Sequence, residues 1–319
     1  MKTKIIVGLS LVAALLLSAS CGKENIKDDA VVAILKNGNT DYYKQIISSI
    51  EEESRAKGCK ALIYAASNEY DINSQIQAAE SLASLNYNVK GIIFNPIYDY
   101  TNRNDAENAI CSFAGKNIPV IFLDTKPSEL SPMKNSYSTY VGVDLQLIGT
   151  DFAEMVTETE QSKILSVYYC TAATMSRYET FKRVKGITDD NNSISITADD
   201  TLTAASLNAK LSNLGTGGSV VLFNGDFYDK ILSFGEDVQD LNDKQIYAFD
   251  AYKSLLLNIK NGGNVKKVLA QNAFVMGKAA VDCIFSMPVD KNVFVAPIII
   301  SAATFDSQEV KPFRDFFGL

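Results

Sequence analysis

Short apolar runs rich in β-branched residues alternate along this chain with segments of helical periodicity. In the first half, apolar residues recur at helical spacing at Tyr43, Ile46, Ile47 and Ile50, with Gly58 predicted to cap the helix, and again at Ile76, Ala79, Leu82 and Ala83. The runs between them have the length and composition of buried strands: VVAIL (31–35), ALIYAA (61–66), GIIF (91–94) and PVIFL (119–123). This order predicts an α/β fold with a parallel sheet.

The second half of the chain repeats the alternation. Its predicted strands are YVGV (140–143), ILSVYY (164–169), SISIT (193–197), SVVLF (219–223), IYAF (246–249) and KVLA (267–270). Ten strands are too many for one comfortable sheet in a chain of 319 residues, so we predict two similar lobes, each a parallel sheet flanked by helices. No Pro- or Gly-rich linker separates the halves, which favours several short crossings that form a multi-strand hinge.

The N-terminal residues have the pattern of a secretion signal. Two lysines precede a thirteen-residue apolar run (5–17), and small residues lead from it to Cys21. We predict a signal peptide over residues 1–20; a retained anchor helix is disfavoured, because a membrane span needs about 20 apolar residues. The position of Cys21 resembles a bacterial lipoprotein signal, although Ser18 stands where that pattern usually has Leu. It implies lipidation of Cys21, with residues 21–29 as a polar tether to the outer face of the cell membrane.

Charge and residue usage exclude several classes of function. The formal net charge is −7, and removing residues 1–20 takes away only Lys2 and Lys4, which changes it to −9. Such an acidic protein is a poor nucleic-acid binder. The chain has no histidine, which excludes histidine-dependent triads and imidazole-ligated zinc. No metal or cofactor is predicted. The remaining cysteines are scattered singly, so we predict mostly buried free thiols, while three disulfide pairings stay open, at Cys59, Cys111, Cys170 and Cys283.

Polar and aromatic residues follow most of the predicted strands. Asn, Asp, Gln and Tyr recur in seven of these loops, such as SNEYD after ALIYAA and NGDFYD after SVVLF. Ligands of open parallel sheets bind at the carboxyl ends of the strands, so the loops predict a site for a small hydroxylated ligand. The alternative for a single residue such as Asp71 or Asp226 is a helix N-cap. The glycine run GTGG (215–218) precedes a strand, which predicts a helix-to-strand turn rather than a phosphate-binding loop.

Several motifs together resemble the type I sugar-binding proteins of bacterial ABC transporters, the ribose and galactose receptor group. They are SQIQAAESLASLNYNVKGIIFNP (74–96), VGVDLQLIG (141–149), YAFDA (247–251) and AQNAFVMGKAAVD (270–282), and the resemblance covers nearly all of residues 30–300. It implies the type I periplasmic binding protein fold. We divide the chain into an N-terminal lobe (30–138 plus 272–298) and a C-terminal lobe (139–271 plus 299–319).

The resemblance also implies a set of ligand-binding residues. Tyr42 and Tyr43 match the aromatic pair that packs on the sugar face, although one of them is expected to pack in the core. Asp124 matches the strand-end Asp that contacts hydroxyls, and Arg183 matches the ligand-binding arginine, with a surface arginine as the alternative. The polar residues of the second lobe and the hinge are matched by Asp250 and Gln271.

Two positions depart from the family pattern. Thr125 stands where the family commonly has an arginine. Gly225 stands where it has the asparagine before Asp226, so Asn224 serves only if the strand end shifts by one. Loss of a planar five-donor fork removes bidentate grip, so the preferred ligand is expected to differ from ribose in its hydroxyl pattern. The chain has no tryptophan, which leaves stacking to Tyr and Phe.

The implied function is capture of a monosaccharide or similar small polyol by lobe closure, followed by delivery to an ABC permease with its ATPase. We expect a lipid-anchored monomer that catalyses no reaction. A receptor that passes the ligand-bound state to a membrane kinase or chemotaxis receptor stays open as an alternative, because the two would look identical in sequence. A transcriptional repressor would need an N-terminal helix-turn-helix in place of the secretion signal, and an enzyme is the least favoured hypothesis.

Overall fold

The computed structural model describes residues 27–68, 71–98, 104–115, 117–134, 137, 139–197, 200–286 and 292–319. The predicted signal peptide, Cys21 and most of the predicted tether therefore lie outside the described residues. Within the ranges given, no helix is both long and apolar enough to cross a membrane.

The first sheet has six parallel strands in the order β11-β5-β4-β3-β1-β2. Their bounds are Asp29–Leu35 (β1), Lys60–Ala65 (β2), Asn88–Phe94 (β3), Val120–Leu123 (β4), Thr139–Gly142 (β5) and Asn292–Phe294 (β11). The second sheet repeats this order as β12-β10-β9-β8-β6-β7, with β12 antiparallel to β10. Its strands are Ile164–Tyr169 (β6), Ser193–Ile196 (β7), Ser219–Leu222 (β8), Gln245–Phe249 (β9), Val265–Ala270 (β10) and Ile298–Ser301 (β12).

Helices cover both faces of each sheet. The first lobe carries Asp41–Ala56 (α1), Ile72–Ser81 (α2), Asp105–Ala114 (α3) and Ala273–Ser286 (α9). The second lobe carries Leu145–Met155 (α4), Ala172–Lys185 (α5), Ala204–Leu214 (α6), Asp226–Ser233 (α7), Lys253–Lys260 (α8) and Lys311–Phe317 (α10). The prediction of two similar α/β lobes is confirmed, as are all ten predicted strands. Gly215 ends α6 immediately before β8, so GTGG is the predicted helix-to-strand turn.

Strand β1 explains why the predicted strands are continuous apolar runs. Val31, Ala33 and Leu35 belong to a core cluster that includes residues of α1 and α9. Val32 and Ile34 belong to another cluster, under α2 and α3. Because alternate side chains of a strand point to opposite faces of the sheet, a strand covered on both sides must be apolar throughout.

Helix α9 packs closely on α1, and a glycine permits the contact. A Cβ atom on Gly277 would lie 2.0 Å from Ser49 Oγ and 2.7 Å from the carbonyl oxygen of Ile46. Only glycine fits this approach. Although α9 follows a strand of the second sheet, it therefore returns the chain to the first lobe.

Three short segments connect the lobes. The chain crosses between β5 and α4, between β10 and α9, and between β11 and β12. The predicted lobe boundary at residue 139 is wrong, because β5 pairs with β4 and β11 in the first sheet. The first crossing comes after Gly142. Likewise, the last boundary at 298/299 falls inside β12, since Ile298 already pairs with Ala270 of the second sheet.

Candidate functional site

Two aspartates occupy equivalent places at the carboxyl ends of the two sheets. Asp124 follows β4 and Asp250 follows β9, which hold the same position in the two strand orders. Both have positive φ angles, 61° and 68°. Each backbone N–H donates to the adjacent strand, to the carbonyl of Val141 at 2.8 Å and of Leu269 at 3.0 Å. Most side chains avoid this left-handed conformation, but Asp tolerates it. Each sheet thus ends in an aspartate on a fixed turn. We call the region between these carboxyl ends of the two sheets the cleft.

In the first lobe, the Asp124 carboxylate accepts hydrogen bonds from both predicted tyrosines. The hydroxyl of Tyr42 lies 2.9 Å from Oδ1, and that of Tyr43 lies 3.4 Å from Oδ2. The two rings pack edge to face with centroids 5.0 Å apart, a preferred arrangement of aromatic pairs. Tyr43 is 3% exposed and belongs to the core, whereas Tyr42 is partly buried at its edge. Burial and then the charges of Asp124 and Asp250 raise the pKa of Tyr42 well above its usual value, so Tyr42 is a neutral donor.

A cation that the sequence did not single out stands beside Asp124. The ammonium of Lys36, directly after β1, lies 3.4 Å from Asp124 Oδ2 and donates to Thr125 Oγ1 at 3.4 Å. Thr125 Oγ1 also accepts from Asn95 Nδ2 at 3.3 Å. Asn95 is fully buried and donates to the carbonyl of Leu123 at 2.8 Å. The first lobe therefore has a positive charge next to Thr125, although position 125 itself carries none.

In the second lobe, Asp250 is bonded to a residue of the hinge. Gln271 Nε2 donates to Asp250 Oδ1 at 3.0 Å, and the guanidinium of Arg177 lies 4.0 Å above the ring of Phe249. Burial raises the pKa of Asp250 to about 6, while the charge of Arg177 and the bond from Gln271 lower it. The charge of Asp124 contributes to the raised value. Because solvent screens charges that are far apart, this contribution indicates that the carboxylates of the two lobes lie near each other.

Three consecutive residues after β8 complete the second lobe's side. Asp226 Oδ2 accepts from the hydroxyl of Tyr169 at 2.7 Å, and burial raises the pKa of Asp226. Asn224 Oδ1 is buried and has no hydrogen-bond partner among the described residues. Gly225 is fixed by packing, because a Cβ there would lie 2.5 Å from the Tyr252 ring and 2.8 Å from the carbonyl of Asp250. The glycine that departs from the family pattern thus seats Tyr252 against the strand end.

The structure does not bring Arg183 to this group. Arg183 is exposed in the last turn of α5, as its alternative interpretation expected. Arg177 lies six residues earlier on the same helix, where it is buried and bonds the carbonyl of Phe223 and the hydroxyl of Thr174. A helix that follows a parallel strand starts at the carboxyl edge of the sheet and leads away from it. That rule, applied to the sequence, would have favoured Arg177.

The remaining predictions concern helix caps, cysteines and metal ligands. Asp71 is a helix cap, since its carboxylate accepts from the backbone N–H of Ser74. Asp226 is the first residue of α7 rather than its N-cap; burial raises the pKa of its carboxyl, and bonds from backbone N–H groups of that first turn lower it. The prediction of free thiols is confirmed for all four cysteines, but only Cys59 and Cys283 are buried. Among the described residues, no group of His, Cys, Asp or Glu could hold a metal ion.

Comparison with known proteins places this arrangement in a family. A sequence model of the periplasmic binding protein domain matches residues 31–287. No curated protein matches the chain in sequence. Among solved structures, a protein from Bacteroides fragilis assigned as a LacI transcriptional regulator has a TM-score of 0.68 at 15% identity, covering 88% of this chain and 99% of its own.

Two further structures are solute-binding proteins of transporters. One, an ABC transporter protein from Agrobacterium vitis bound with α-D-tagatopyranose, has a TM-score of 0.66 at 15% identity, covering 90% of this chain and 99% of its own. The other, a carbohydrate transporter protein from Agrobacterium radiobacter in complex with D-arabinose, has a TM-score of 0.63 at 15% identity, covering 89% and 98%. At this identity the likeness shows the fold alone.

The fold and the cleft between its lobes define a two-lobed binding protein. The chain belongs to the periplasmic binding protein domain family, which matches 31–287, and its fold is the predicted type I fold. The family is one of binding proteins, and its periplasmic members act outside the cytoplasm.

Proposed function

We propose that the protein captures a small neutral sugar or similar polyol in its cleft. The observation that carries the proposal is the pair of strand-end carboxylates, Asp124 and Asp250, one from each lobe, in the same positive-φ conformation and close enough that the charge of one raises the pKa of the other. Backbone conformations of this kind persist where the surrounding structure holds them, and they cluster at functional sites. Two opposed carboxylates are suited to accept hydrogen bonds from hydroxyls on opposite edges of one ring.

The remaining polar groups support a neutral, hydroxylated ligand. Lys36 and Arg177 are donors near the two carboxylates, and Asn224 Oδ1 is a buried acceptor without a partner among the described residues. Buried polar groups are nearly always hydrogen-bonded, so a ligand hydroxyl would satisfy Asn224. An anionic sugar would meet Asp124, Asp250 and Asp226 in the same cleft, and like charges repel. Tyr42 and Tyr252 supply the aromatic surface that sugar rings pack on.

Capture is proposed to proceed by closure of the lobes. The three crossings are short, and the second of them carries a residue of the site: Gln271 directly follows β10 and bonds Asp250. Hinge closure needs only a few residues at element ends to change their backbone angles. A ligand that bridges Asp124 and Asp250 binds the closed form better than the open form, which shifts the population toward closure.

The protein is proposed to act as an extracytoplasmic lipoprotein, anchored through Cys21, that delivers its ligand to an ABC permease with its ATPase. The predicted signal peptide and the family support this location. Two proteins of the same fold, from transporters of other bacteria, hold tagatose and arabinose. Both sugars are neutral polyols, in agreement with the groups in the cleft.

A panel of monosaccharides tests the proposal. The purified protein is heated with each of several neutral pentoses and hexoses, including D-tagatose and D-arabinose, and hits are titrated by calorimetry. A ligand that binds only the folded state raises the melting temperature further as its concentration increases. We expect at least one sugar to do so. A melting temperature that does not move with any sugar, in a protein that unfolds cooperatively, would contradict a sugar ligand.

A further inference from the structure

We infer that Lys36 contacts the ligand and, together with Asp124, selects a sugar with two adjacent hydroxyls on the edge that faces the first lobe. The inference rests on the proposed function and deepens it. Lys36 follows β1 and Asp124 follows β4, two strands apart in the sheet order, so both stand at the same edge. No motif in the sequence assigns a role to position 36.

The position of Lys36 is fixed at both ends of the residue. Its backbone N–H donates to Asn95 Oδ1 at 3.4 Å, and Asn95 itself is fully buried. Its ammonium lies 3.4 Å from Asp124 Oδ2, 3.4 Å from Thr125 Oγ1 and 6.0 Å from the centre of the Tyr43 ring. A long flexible side chain loses rotamer entropy when it is held. The hydrogen bonds and the ion pair already order the Lys36 side chain, so binding of a ligand does not have to bear this entropy cost.

The ion pair is not fully buried. The side chain of Lys36 is 19% exposed and that of Asp124 is 14% exposed, so both remain accessible to a small molecule. An ammonium only donates hydrogen bonds, and a carboxylate only accepts them. A donor and an acceptor 3.4 Å apart match two neighbouring hydroxyls of a sugar, one accepting from Lys36 and the next donating to Asp124. This pair distinguishes neutral sugars by the presence of a vicinal diol.

The test is a cycle between protein variants and ligand analogues. The best sugar of the panel and its monodeoxy analogues are titrated against the wild-type protein and Lys36→Met, which removes the charge but keeps the length of the side chain. We expect Lys36→Met to bind the parent sugar roughly 10- to 100-fold more weakly. One monodeoxy analogue should lose affinity for the wild-type protein but bind Lys36→Met no more weakly than the parent sugar does. A purely structural effect of Lys36→Met would weaken all analogues by the same factor.

Two further variants test whether a positive charge is needed at this position, and a third is a control for the effect of the Lys→Met change on folding. Lys36→Arg keeps the charge, although with a different donor geometry, and should bind the parent sugar more tightly than Lys36→Met does. Thr125→Arg, added to Lys36→Met, places a cation on the residue whose hydroxyl Lys36 now bonds, and should recover part of the lost affinity. Lys60→Met is the matched control, because Lys60 pairs with Asp28 at the exposed start of β2, outside the cleft; its affinity should not change.

The outcomes separate this inference from the proposed function. If the wild-type protein binds a sugar and Lys36→Met binds the same sugar equally well, the inference is wrong while the proposed function stands. Equal losses for every monodeoxy analogue in both proteins would also overturn it. If the wild-type protein binds no sugar at all, the proposed function fails and this inference fails with it.

Discussion

The two lobes present the same strand-end aspartate to the cleft but surround it differently. Asp124 in the first lobe has an ion pair with Lys36 and two tyrosine donors. Asp250 in the second lobe has a donor in Gln271, and burial raises its pKa to about 6. The second lobe also holds Asn224 Oδ1, a buried acceptor without a partner among the described residues.

This difference indicates that the two lobes have different roles in ligand binding and in stability. The polar groups of the first lobe satisfy one another, so the surface that meets a ligand is already formed there. The second lobe keeps acceptors whose burial costs free energy until a donor reaches them. We therefore expect the first lobe to decide which ligand fits, and the second to govern how stability responds to pH.

The largest expected effect comes from the first lobe. Asp124→Asn keeps a residue that tolerates positive φ but removes the charge that Lys36 and the tyrosines surround. Charge-assisted hydrogen bonds are about twice as strong as neutral ones, so affinity for the best sugar should fall at least about 100-fold, measured by calorimetry. Asp240→Asn is the control, since Asp240 has a similar φ of 59° but is exposed outside the cleft. If Asp124→Asn and Asp240→Asn bind the sugar equally well, the first lobe does not decide which ligand fits.

A smaller effect should separate two arginines on one helix. Arg177 is buried against Phe249, and its charge lowers the pKa of Asp250. Arg177→Met should therefore lower the free energy of unfolding by about 2 kcal/mol, from lost packing and an uncompensated carboxylate. The matched variant Arg183→Met changes an exposed side chain and should stay within about 0.5 kcal/mol of wild type. Urea unfolding measures both. A larger loss for Arg183→Met than for Arg177→Met would contradict the conclusion that the first turns of α5, and not its last turn, lie at the cleft.

The fold was largely predictable because its signal is local. A strand buried on both faces must be a continuous apolar run, which is how β1, β3 and β4 were found. Strands β11 and β12 lie at the edges of their sheets and are mostly not buried, so they lack the signal of a strand that is buried on both faces. The sheet to which YVGV (140–143) belongs was not predictable either, because strand pairing depends on contacts that are distant in sequence.

The site was predictable only where a single position carries the signal. Asp124 and Asp250 directly follow strands, and the topology brings such residues to one edge. Lys36 also follows a strand, but its role depends on the non-local order of the sheet, which places β1 near β4. Arg177 and Arg183 could not be separated by motif, because the choice depends on which end of α5 meets the cleft. Residues whose function depends on such pairings need the structure.

The last prediction tests the second lobe through its pH dependence. Burial raises the folded-state pKa of Asp250 to about 6, above the value of about 3.9 for an unfolded chain. For a carboxyl with a raised pKa, its contribution to stability is fully present below the unfolded pKa and is lost as the pH rises through about 6. Asp250→Asn cannot ionise and still accepts from Gln271. Without ligand it should therefore be more stable than wild type at neutral pH, and this advantage should disappear near pH 4.

Urea unfolding at several pH values measures that difference, and the shape of its pH dependence matters more than its size. Asp240→Asn again serves as the control, because it makes the same chemical change at a similar φ on an exposed residue, so its difference from wild type should stay flat from about pH 4 to 7. If Asp250→Asn also gives a flat difference, Asp250 does not titrate near pH 6 and its carboxylate is as well satisfied as that of Asp124. The polar groups of the two lobes would then be equally well satisfied without ligand, and the proposed difference between the lobes would be wrong.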